Sequence, residues 1–355
     1  MGSTFSSIRR IAFGFIPLLL VLLPLGGFTA SGAVSIQTIP VAAGPDAIVA
    51  IGSNIWVASC AGNAVTEINR STFQVVQVLS GSSFGFDCPD ALAFGDGYLW
   101  VANALGGSLT QLSASTGAWI QTITGTSVTE NKHTFRNVLA PISMVVVKNS
   151  LWVGNYPSLD NIDNQLGSFV SEFDVRSGAT IGSIHQPFGD PWSLAYTGAG
   201  IWVAGGDTGN SELMDLNGRE IRLWPFLEVK GVPPLLYDNY LSYHSGVLWV
   251  AGDNGVWEYN AKSGKYLRSI HSGTTPAGEL VFTGRDLFVA FYSPISAIRE
   301  YNSSGTLIRT VVRLNSNGYR GELSPIGDAL IYSDGGLWFS NYSLNTVAFC
   351  RTVGS

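Results

Sequence analysis

The tetrapeptide Ile55-Trp56-Val57-Ala58 decides the fold, because variants of it return along the chain. The six further copies are Leu99-Trp100-Val101-Ala102, Leu151-Trp152-Val153-Gly154, Ile201-Trp202-Val203-Ala204, Leu248-Trp249-Val250-Ala251, Leu287-Phe288-Val289-Ala290 and Leu337-Trp338-Phe339-Ser340. Their aromatic residues are 39 to 52 residues apart. In the first four copies a proline stands eleven residues before the tryptophan, at Pro45, Pro89, Pro141 and Pro191. Seven copies in register predict a repeat protein.

Each repeat divides into four short strands. In the first repeat these are residues 47–51, 55–59, 64–68 and 74–79, and the first two are joined by the turn Gly52-Ser53-Asn54. Turns rich in Gly, Asn and Ser are typical of tight hairpins. The second strand is apolar on both faces, which indicates that other sheets pack on both sides of it. A four-stranded unit repeated about every 40–50 residues predicts an all-β, seven-bladed β-propeller.

The sequence also predicts how the ring closes. Most repeats carry an outer strand, as at residues 119–123, 220–223 and 307–311, but the last repeat ends soon after Phe349. Ser35-Ile36-Gln37-Thr38-Ile39 closely resembles residues 119–123. We therefore expect the N-terminal strand to complete the last blade, so that residues 34–355 form a single propeller domain.

Residues 1–33 are predicted to be a signal peptide. Arg9 and Arg10 precede an apolar run over residues 11–25, and Ser31-Gly32-Ala33 provides the small residues of a cleavage site. The run is short for a membrane span, which needs about 20 residues, although an uncleaved anchor stays open as an alternative. The interpretation is an exported protein, secreted to the extracellular space or the periplasm, with no membrane association after cleavage.

Composition limits the possible partners. Charged residues make up 12% of the chain, while Gly reaches 42 residues and aromatic residues 12%, which argues against coiled coils and against disorder. A formal net charge of −6 argues against a broad nucleic-acid surface. The remaining partners are a polar small molecule or an extracellular protein, bound by a monomer.

The repeat Pro-x-x-[Leu/Ile]…[Leu/Ile]-Trp-Val-[Ala/Gly] resembles YVTN/NHL-type seven-bladed propellers, and it is similar to the virginiamycin B lyase-like superfamily. The resemblance implies the fold over the whole mature chain. For activity it implies two alternatives: a non-catalytic binding module, or a divalent-metal-assisted lyase or hydrolase. This chain has no Glu-x-His pair, so no catalytic residue carries over and catalysis stays an open question. The binding module is the first interpretation.

The three cysteines allow one specific prediction. Cys60 follows the second strand of the first blade, and Cys88 precedes the first strand of the second blade. Loops after second and fourth strands emerge on the same face of a propeller, so a Cys60–Cys88 disulfide is expected. Cys350 would then be a buried free thiol. The alternative is that Cys60 and Cys88 are two unconnected loop residues.

The same face is expected to carry the binding site, because it collects the long connections. Polar and aromatic residues there are predicted to form an acidic, aromatic-lined funnel for a polar or cationic ligand: Asp90, Asn103, Asn155, Tyr156, Asp190, Trp192, Asp207, Asp253, Glu279, Tyr292, Asn341 and Tyr342. The alternative for any single member is that its side chain satisfies the backbone of a turn.

Two further loops carry residue types that are suited to metal binding or acid–base chemistry. Asp160, Asp163 and Asn164 offer oxygen ligands of the type that Ca²⁺ prefers, with Mg²⁺ as the other candidate ion. The EF-hand pattern does not fit this loop, and a solvated polar loop is the simpler explanation. His133 lies in the long connection Gly125–Ala140. It would serve as a general base only if that loop reached over the funnel and placed a carboxylate beside it.

Overall fold

Repeated four-stranded β-sheets make up most of the protein. A computed structural model describes residues 35–130, 133–156, 168–185, 190–205, 210–216, 220–225, 240–272, 275–292, 296–313 and 329–352. In these ranges the chain forms strands and turns and no helix. None of the described segments is therefore a helix suited to cross a membrane. The predicted signal peptide lies outside the described residues.

Seven sheets of four antiparallel strands make up the fold. The innermost strands are β2 (Pro45–Ile51), β6 (Pro89–Gly95), β12 (Pro141–Val147), β16 (Pro191–Tyr196), β20 (Tyr240–His244), β24 (Ala277–Phe282) and β28 (Leu330–Ser333). The second strands are β3 (Asn54–Ser59), β7 (Tyr98–Asn103), β13 (Ser150–Asn155), β17 (Ile201–Gly205), β21 (Val247–Gly252), β25 (Leu287–Phe291) and β29 (Gly336–Asn341).

The outer half of each sheet follows the same order. The third strands are β4 (Ala64–Asn69), β8 (Ser108–Ser113), β14 (Phe169–Asp174), β18 (Asn210–Met214), β22 (Gly255–Asn260), β26 (Ala297–Tyr301) and β30 (Thr346–Arg351). The outermost strands are β5 (Val75–Ser80), β9 (Trp119–Thr124), β15 (Thr180–His185), β19 (Glu220–Pro225), β23 (Tyr266–His271), β27 (Leu307–Arg313) and, in the last blade, β1 (Ile36–Pro40).

The sheets form a closed ring. Each innermost strand contacts the innermost strand of the next sheet, and β28 contacts β2. The last sheet has the order β1-β30-β29-β28, with β1 antiparallel to β30. The seven-bladed propeller and its closure by the N-terminal strand are thus confirmed. Because β1 covers the edge of β30, the ring does not end in a three-stranded blade.

The repeated tetrapeptide is the packing unit between blades. The second strands are buried almost throughout, and successive residues point to opposite faces of their sheet. Trp56 packs with Leu99 of the next blade, whereas Ile55 packs with Trp338 of the blade before it. Seven hydrophobic clusters, one at each blade junction, follow this arrangement. The Leu-Trp pair therefore recurs because each blade must supply both halves of a junction.

The connection between blades 2 and 3 contains structure that the sequence did not predict. Residues 125–140 were expected to be a long loop, but they include a hairpin of β10 (Ser127–Glu130) and β11 (His133–Arg136). β10 contacts β15, the outermost strand of blade 3. The Asn137 amide supports this placement by donating to Thr180 Oγ1 of the same strand at 2.7 Å. The hairpin that carries His133 thus contacts the perimeter of the ring.

Candidate functional site

A β-bulge follows each proline that begins an innermost strand. In blades 1 to 4 the register shifts immediately after Pro45, Pro89, Pro141 and Pro191, so the next residue has no partner in the ladder. A shift at the corresponding place in blade 6 leaves out Gly278 and Glu279. Bulges redirect side chains, and they are frequent beside functional sites. Here they turn the side chains of Asp46, Asp90, Ile142, Trp192 and Glu279 into the centre of the ring.

These side chains surround a central cavity of about 290 Å³. Below the bulge residues lie small side chains that leave the channel open, namely Ala47, Ala91, Ser143 and Ser193. A third level is aliphatic and consists of Ile48, Leu92, Met144, Leu194, Leu241 and Leu330. The carboxylates of the cavity therefore lie at its mouth, and its deepest level is aliphatic.

The two serines of the middle level connect neighbouring blades. Ser143 Oγ donates to the carbonyl oxygen of Pro191 at 2.5 Å, and Ser193 Oγ accepts from the backbone N–H of Leu241 at 3.1 Å. Both bonds are made by side chains on one innermost strand to the backbone of the next. They fix the positions of Trp192 and Tyr240, which flank the bonded groups in the chain.

The mouth is chemically asymmetric. Contacts between innermost strands give the order of the blades around the ring. In that order the carboxylates occupy one arc of the mouth: Asp46 of blade 1, Asp90 of blade 2 and Glu279 of blade 6. Apolar and aromatic side chains occupy the opposite arc: Ile142 of blade 3, Trp192 of blade 4 and Tyr240 of blade 5. The acidic side chains and the apolar side chains thus lie on opposite sides of the cavity.

Two aromatic pairs extend the apolar arc. The rings of Tyr156 and Trp192 have centroids 6.1 Å apart, and those of Tyr240 and Tyr292 are 6.4 Å apart. Tyr292 also lies over Gly278, where a Cβ atom would stand 2.1 Å from its hydroxyl oxygen. A glycine at this bulge therefore allows the tyrosine ring to approach the mouth.

The three asparagines that were predicted to line the funnel are not part of the cavity wall. Asn103, Asn155 and Asn341 end second strands, and each is at most 1% exposed. Asn155 Oδ1 accepts from the backbone N–H of Leu139 at 3.1 Å, and Asn341 Oδ1 accepts from that of Leu344 at 3.1 Å. These bonds order the loops at the mouth.

The amide group of Asn103 also bonds within its own blade. Its Nδ2 donates to Ser108 Oγ at 3.0 Å and to Thr110 Oγ1 at 3.1 Å, both on the third strand. The side chain thus points away from the channel and toward the outer strands.

Asp190, Asp253 and Tyr342 lie around the same face. Asp190 is 7% exposed and accepts from Ser168 Oγ at 2.7 Å. Asp253 lies in the turn between β21 and β22, and Tyr342 contacts the loop at Gly44. Asp207 and the predicted metal ligands Asp160, Asp163 and Asn164 lie outside the described residues.

The Cys60–Cys88 disulfide is confirmed, and Cys350 is a buried free thiol. The bond joins the loop after β3 to the loop before β6, next to the bulge that carries Asp90. Asn63 Oδ1 supports the same junction by accepting from the backbone N–H of Cys88 at 2.7 Å. A disulfide of this kind is typical of proteins that fold in an oxidising environment.

Sequence reasoning missed three members of the mouth, Asp46, Ile142 and Tyr240. The dipeptide Pro45-Asp46 repeats Pro89-Asp90, so the comparison of repeats held the signal for Asp46. Tyr240 has no preceding proline, and its position follows only from its pairing with Ala251. In the part of the chain that the structure describes, no three His, Cys, Asp or Glu side chains gather closely enough to hold a metal ion.

Comparison with known proteins agrees on the fold alone. No family model and no curated protein matches the chain. Among solved structures, the chain is similar to Kuenenia stuttgartiensis hydrazine synthase, with 14% identity over 88% of this chain and 97% of that one and a TM-score of 0.67. It is also similar to a chain of the mitotic checkpoint complex, with 13% identity over 98% and 99% of the two chains and a TM-score of 0.68. At such identities the shared property is the β-propeller fold.

Proposed function

We propose that this protein is an exported binding module whose channel mouth holds a small polar ligand without transforming it. The observation that carries the proposal is the row of bulges that turns five side chains into one cavity. A rigid ring that presents convergent polar groups above an apolar floor has the usual make-up of a ligand site. The resemblance of the repeat to YVTN/NHL-type propellers is compatible with binding.

Thermal unfolding tests this proposal. Choline, citrate, glucose and calcium chloride represent four classes of polar solute, and a solute that binds only the folded state raises the melting temperature. We expect at least one to stabilise the wild-type protein and to lose its effect in Ala47→Trp, which fills the channel. Ser53→Trp, in an exposed turn of the opposite face, is the matched control. Equal shifts in all three proteins, or no shift in any, would contradict binding in the channel.

Export rests on the N-terminal sequence and on the disulfide. Residues 9–33 have the charge, the apolar run and the small residues of a signal peptide, and Cys60–Cys88 is the kind of bond that lasts in an oxidising compartment. Secretion of the full chain from a bacterial host should give a protein whose mass corresponds to a start at Val34. A secreted protein that retains residues 1–33 would show an uncleaved anchor instead.

A further inference from the structure

We propose that the Cys60–Cys88 disulfide is a redox-sensitive switch at the channel mouth. Its reduction releases residues 87–90, whereas the seven blades stay folded. As regulation of a ligand site the proposal rests on the proposed function, but the conformational change can be measured without a ligand. Three features carry it: the position of the disulfide beside the cavity wall, the left-handed backbone of Cys88, and the contacts that hold this segment in place.

The disulfide lies next to the cavity wall. Cys88 precedes Pro89, which begins β6, and the following residue, Asp90, lines the cavity. Cys60 follows the last residue of β3, so the bond joins blade 1 to the connection that leads into blade 2. A change in the backbone of Cys88 therefore reaches the cavity wall directly.

The backbone of Cys88 is strained. Its φ of 56° lies in the left-handed region, which is unfavourable for a residue that carries a Cβ atom. In addition, a proline restricts the residue before it to an extended backbone, and Pro89 follows Cys88. A strained conformation persists only where the surrounding structure enforces it. The contacts of this segment therefore decide whether the cavity wall keeps its shape.

Three hydrogen bonds between described residues support the disulfide. Asn63 Oδ1 accepts from the backbone N–H of Cys88 at 2.7 Å. The carbonyl oxygen of Cys88 accepts from the N–H of Ala104 at 2.9 Å. The carbonyl oxygen of Asp87 accepts from the N–H of Gly106 at 3.2 Å. Each such bond contributes less to stability than a cross-link that closes a long loop, so we expect the strain at Cys88 to open the segment once the disulfide is cleaved.

The release is limited to a short segment. On one side Phe84 and Phe86 stack with their ring centroids 5.3 Å apart, and both pack against the cluster between blades 1 and 2. On the other side Ala91 pairs with Ala102 in the ladder of β6 and β7. Neither contact involves the disulfide. The junction between the two blades therefore survives reduction, and the movement is confined to residues 87–90.

The chemistry of the release follows from the exposure of the two cysteines. Cys88 is 7% exposed, whereas Cys60 is half-buried, so a thiolate of a dithiol reductant attacks Sγ of Cys60. The S–S bond breaks, a mixed disulfide forms between the reductant and Cys60, and Cys88 leaves as a thiolate that takes up a proton. The second thiol of the reductant then displaces Cys60, which is also protonated, and the reductant becomes a disulfide. Two electrons pass to the protein, and the strained residue is freed in the first step.

Hydrogen exchange of the full-chain protein, measured by mass spectrometry, tests the switch. The oxidised protein is compared with the protein in dithiothreitol and with the Cys60→Ala/Cys88→Ala variant. In the two forms without the disulfide we expect peptides that contain residues 87–91 and 104–106 to exchange at least about tenfold faster. Residues 248–257 of blade 5, which lie away from the disulfide, should change by less than about twofold.

A matched variant separates release by strain from the loss of a cross-link. Cys60→Ala/Cys88→Gly also lacks the disulfide, but glycine adopts the left-handed backbone without the penalty of a Cβ atom. We expect residues 87–91 to exchange at least about threefold more slowly in this variant than in Cys60→Ala/Cys88→Ala. Equal exchange in the two variants would overturn the role of the Cys88 backbone.

The remaining outcomes separate the switch from the proposed function. Unchanged exchange at residues 87–91 on reduction would overturn the switch. An equal increase in all blades, or loss of the folded ring, would also overturn it, because either result would show that the disulfide stabilises the whole domain. The Ala47→Trp comparison, made with the oxidised protein, decides the proposed function separately.

Discussion

Ile36 on the first strand of the propeller lies directly opposite Cys350 on the strand β30. The pair begins a register of five residues that ends with Pro40 opposite Thr346. Cys350 is fully buried, and Ile36 packs against the cluster between blades 6 and 7 that contains it. Burial raises the pKa of the Cys350 thiol to about 11, because the thiolate would be poorly solvated there. The closing strand therefore shields the one cysteine that is not in a disulfide.

Labelling of Cys350 should report whether the ring is closed. The raised pKa lowers the thiolate fraction about a hundredfold relative to an ordinary thiol, and the thiolate is the reactive form. We expect Ellman's reagent at about pH 8 to react with the native protein at least tenfold more slowly than with the protein in denaturant. Deletion of residues 35–40 should accelerate the reaction without denaturant. Equally slow labelling after the deletion would show that β1 does not cover the thiol.

A milder change tests the contribution of β1 to stability. Ile39 is 4% exposed and packs in the cluster that contains Trp338 at the junction of blades 7 and 1. Ile39→Ala should lower the free energy of unfolding by about 3 kcal/mol, through lost apolar burial and the cavity left behind. Gln37→Ala, at an exposed position of the same strand, should cost less than about 0.5 kcal/mol. Urea denaturation measures both, and equal effects would contradict a closing role for the buried side chain of Ile39.

Reduction of the disulfide should destabilise the native state. Cys60 and Cys88 are 28 residues apart, and a cross-link of that span typically stabilises a protein by roughly 3 kcal/mol. We expect a lower melting temperature in a phosphine reductant, and the same temperature for the Cys60→Ala/Cys88→Ala protein with or without the reductant. Peptide mapping that finds Cys350 in the bridge would contradict the assignment.

The fold was predictable because its packing rule is local. A residue such as Ile55 or Trp56 faces one blade junction and its neighbour faces the next, so every junction imposes the same pair on the sequence. Closure was predictable for the same reason. Because β1 occupies the same position as the outermost strands of the other blades, its sequence resembles theirs. The hairpin at residues 127–136 was missed because it belongs to one connection and has no counterpart to compare with.

The site was less predictable because it depends on irregularity. A bulge after Pro45 or Pro89 turns the following aspartate inward, but hydrophobic periodicity does not reveal a bulge. The polar ends of second strands look equivalent in the sequence. In the structure Asn103 and Asn155 bond to neighbouring strands and loops, whereas residues that begin the innermost strands line the cavity.

Several turns between a third strand and an outermost strand are held by an aspartate or asparagine side chain at the end of the third strand. Asp174 Oδ1 accepts from the backbone N–H of Ser177 at 2.8 Å, from its hydroxyl at 2.7 Å and from the backbone N–H of Arg176 at 3.2 Å. Asparagines make equivalent turn bonds in other blades, at Asn69, Asn260 and Asn302. The backbone and hydroxyl bonds of Ser177 favour the charged carboxylate and hold the pKa of Asp174 below 3.8.

This lowered pKa predicts a pH-dependent contribution of Asp174 to stability. The ordinary pKa of an aspartate is 3.8. A carboxyl group whose pKa is lower than this in the folded state stabilises the protein at pH values above 3.8. This contribution is lost as the pH falls through the lower pKa of the folded state. Asp174→Asn keeps an oxygen acceptor and removes the charge. We expect the melting temperatures of wild type and Asp174→Asn to differ most at pH values well above 3.8 and to converge as the pH falls below that value. Asp286→Asn is the control for the removal of one negative charge. If the difference in melting temperature between wild type and Asp174→Asn stays constant with pH, the ionised carboxylate does not have this role.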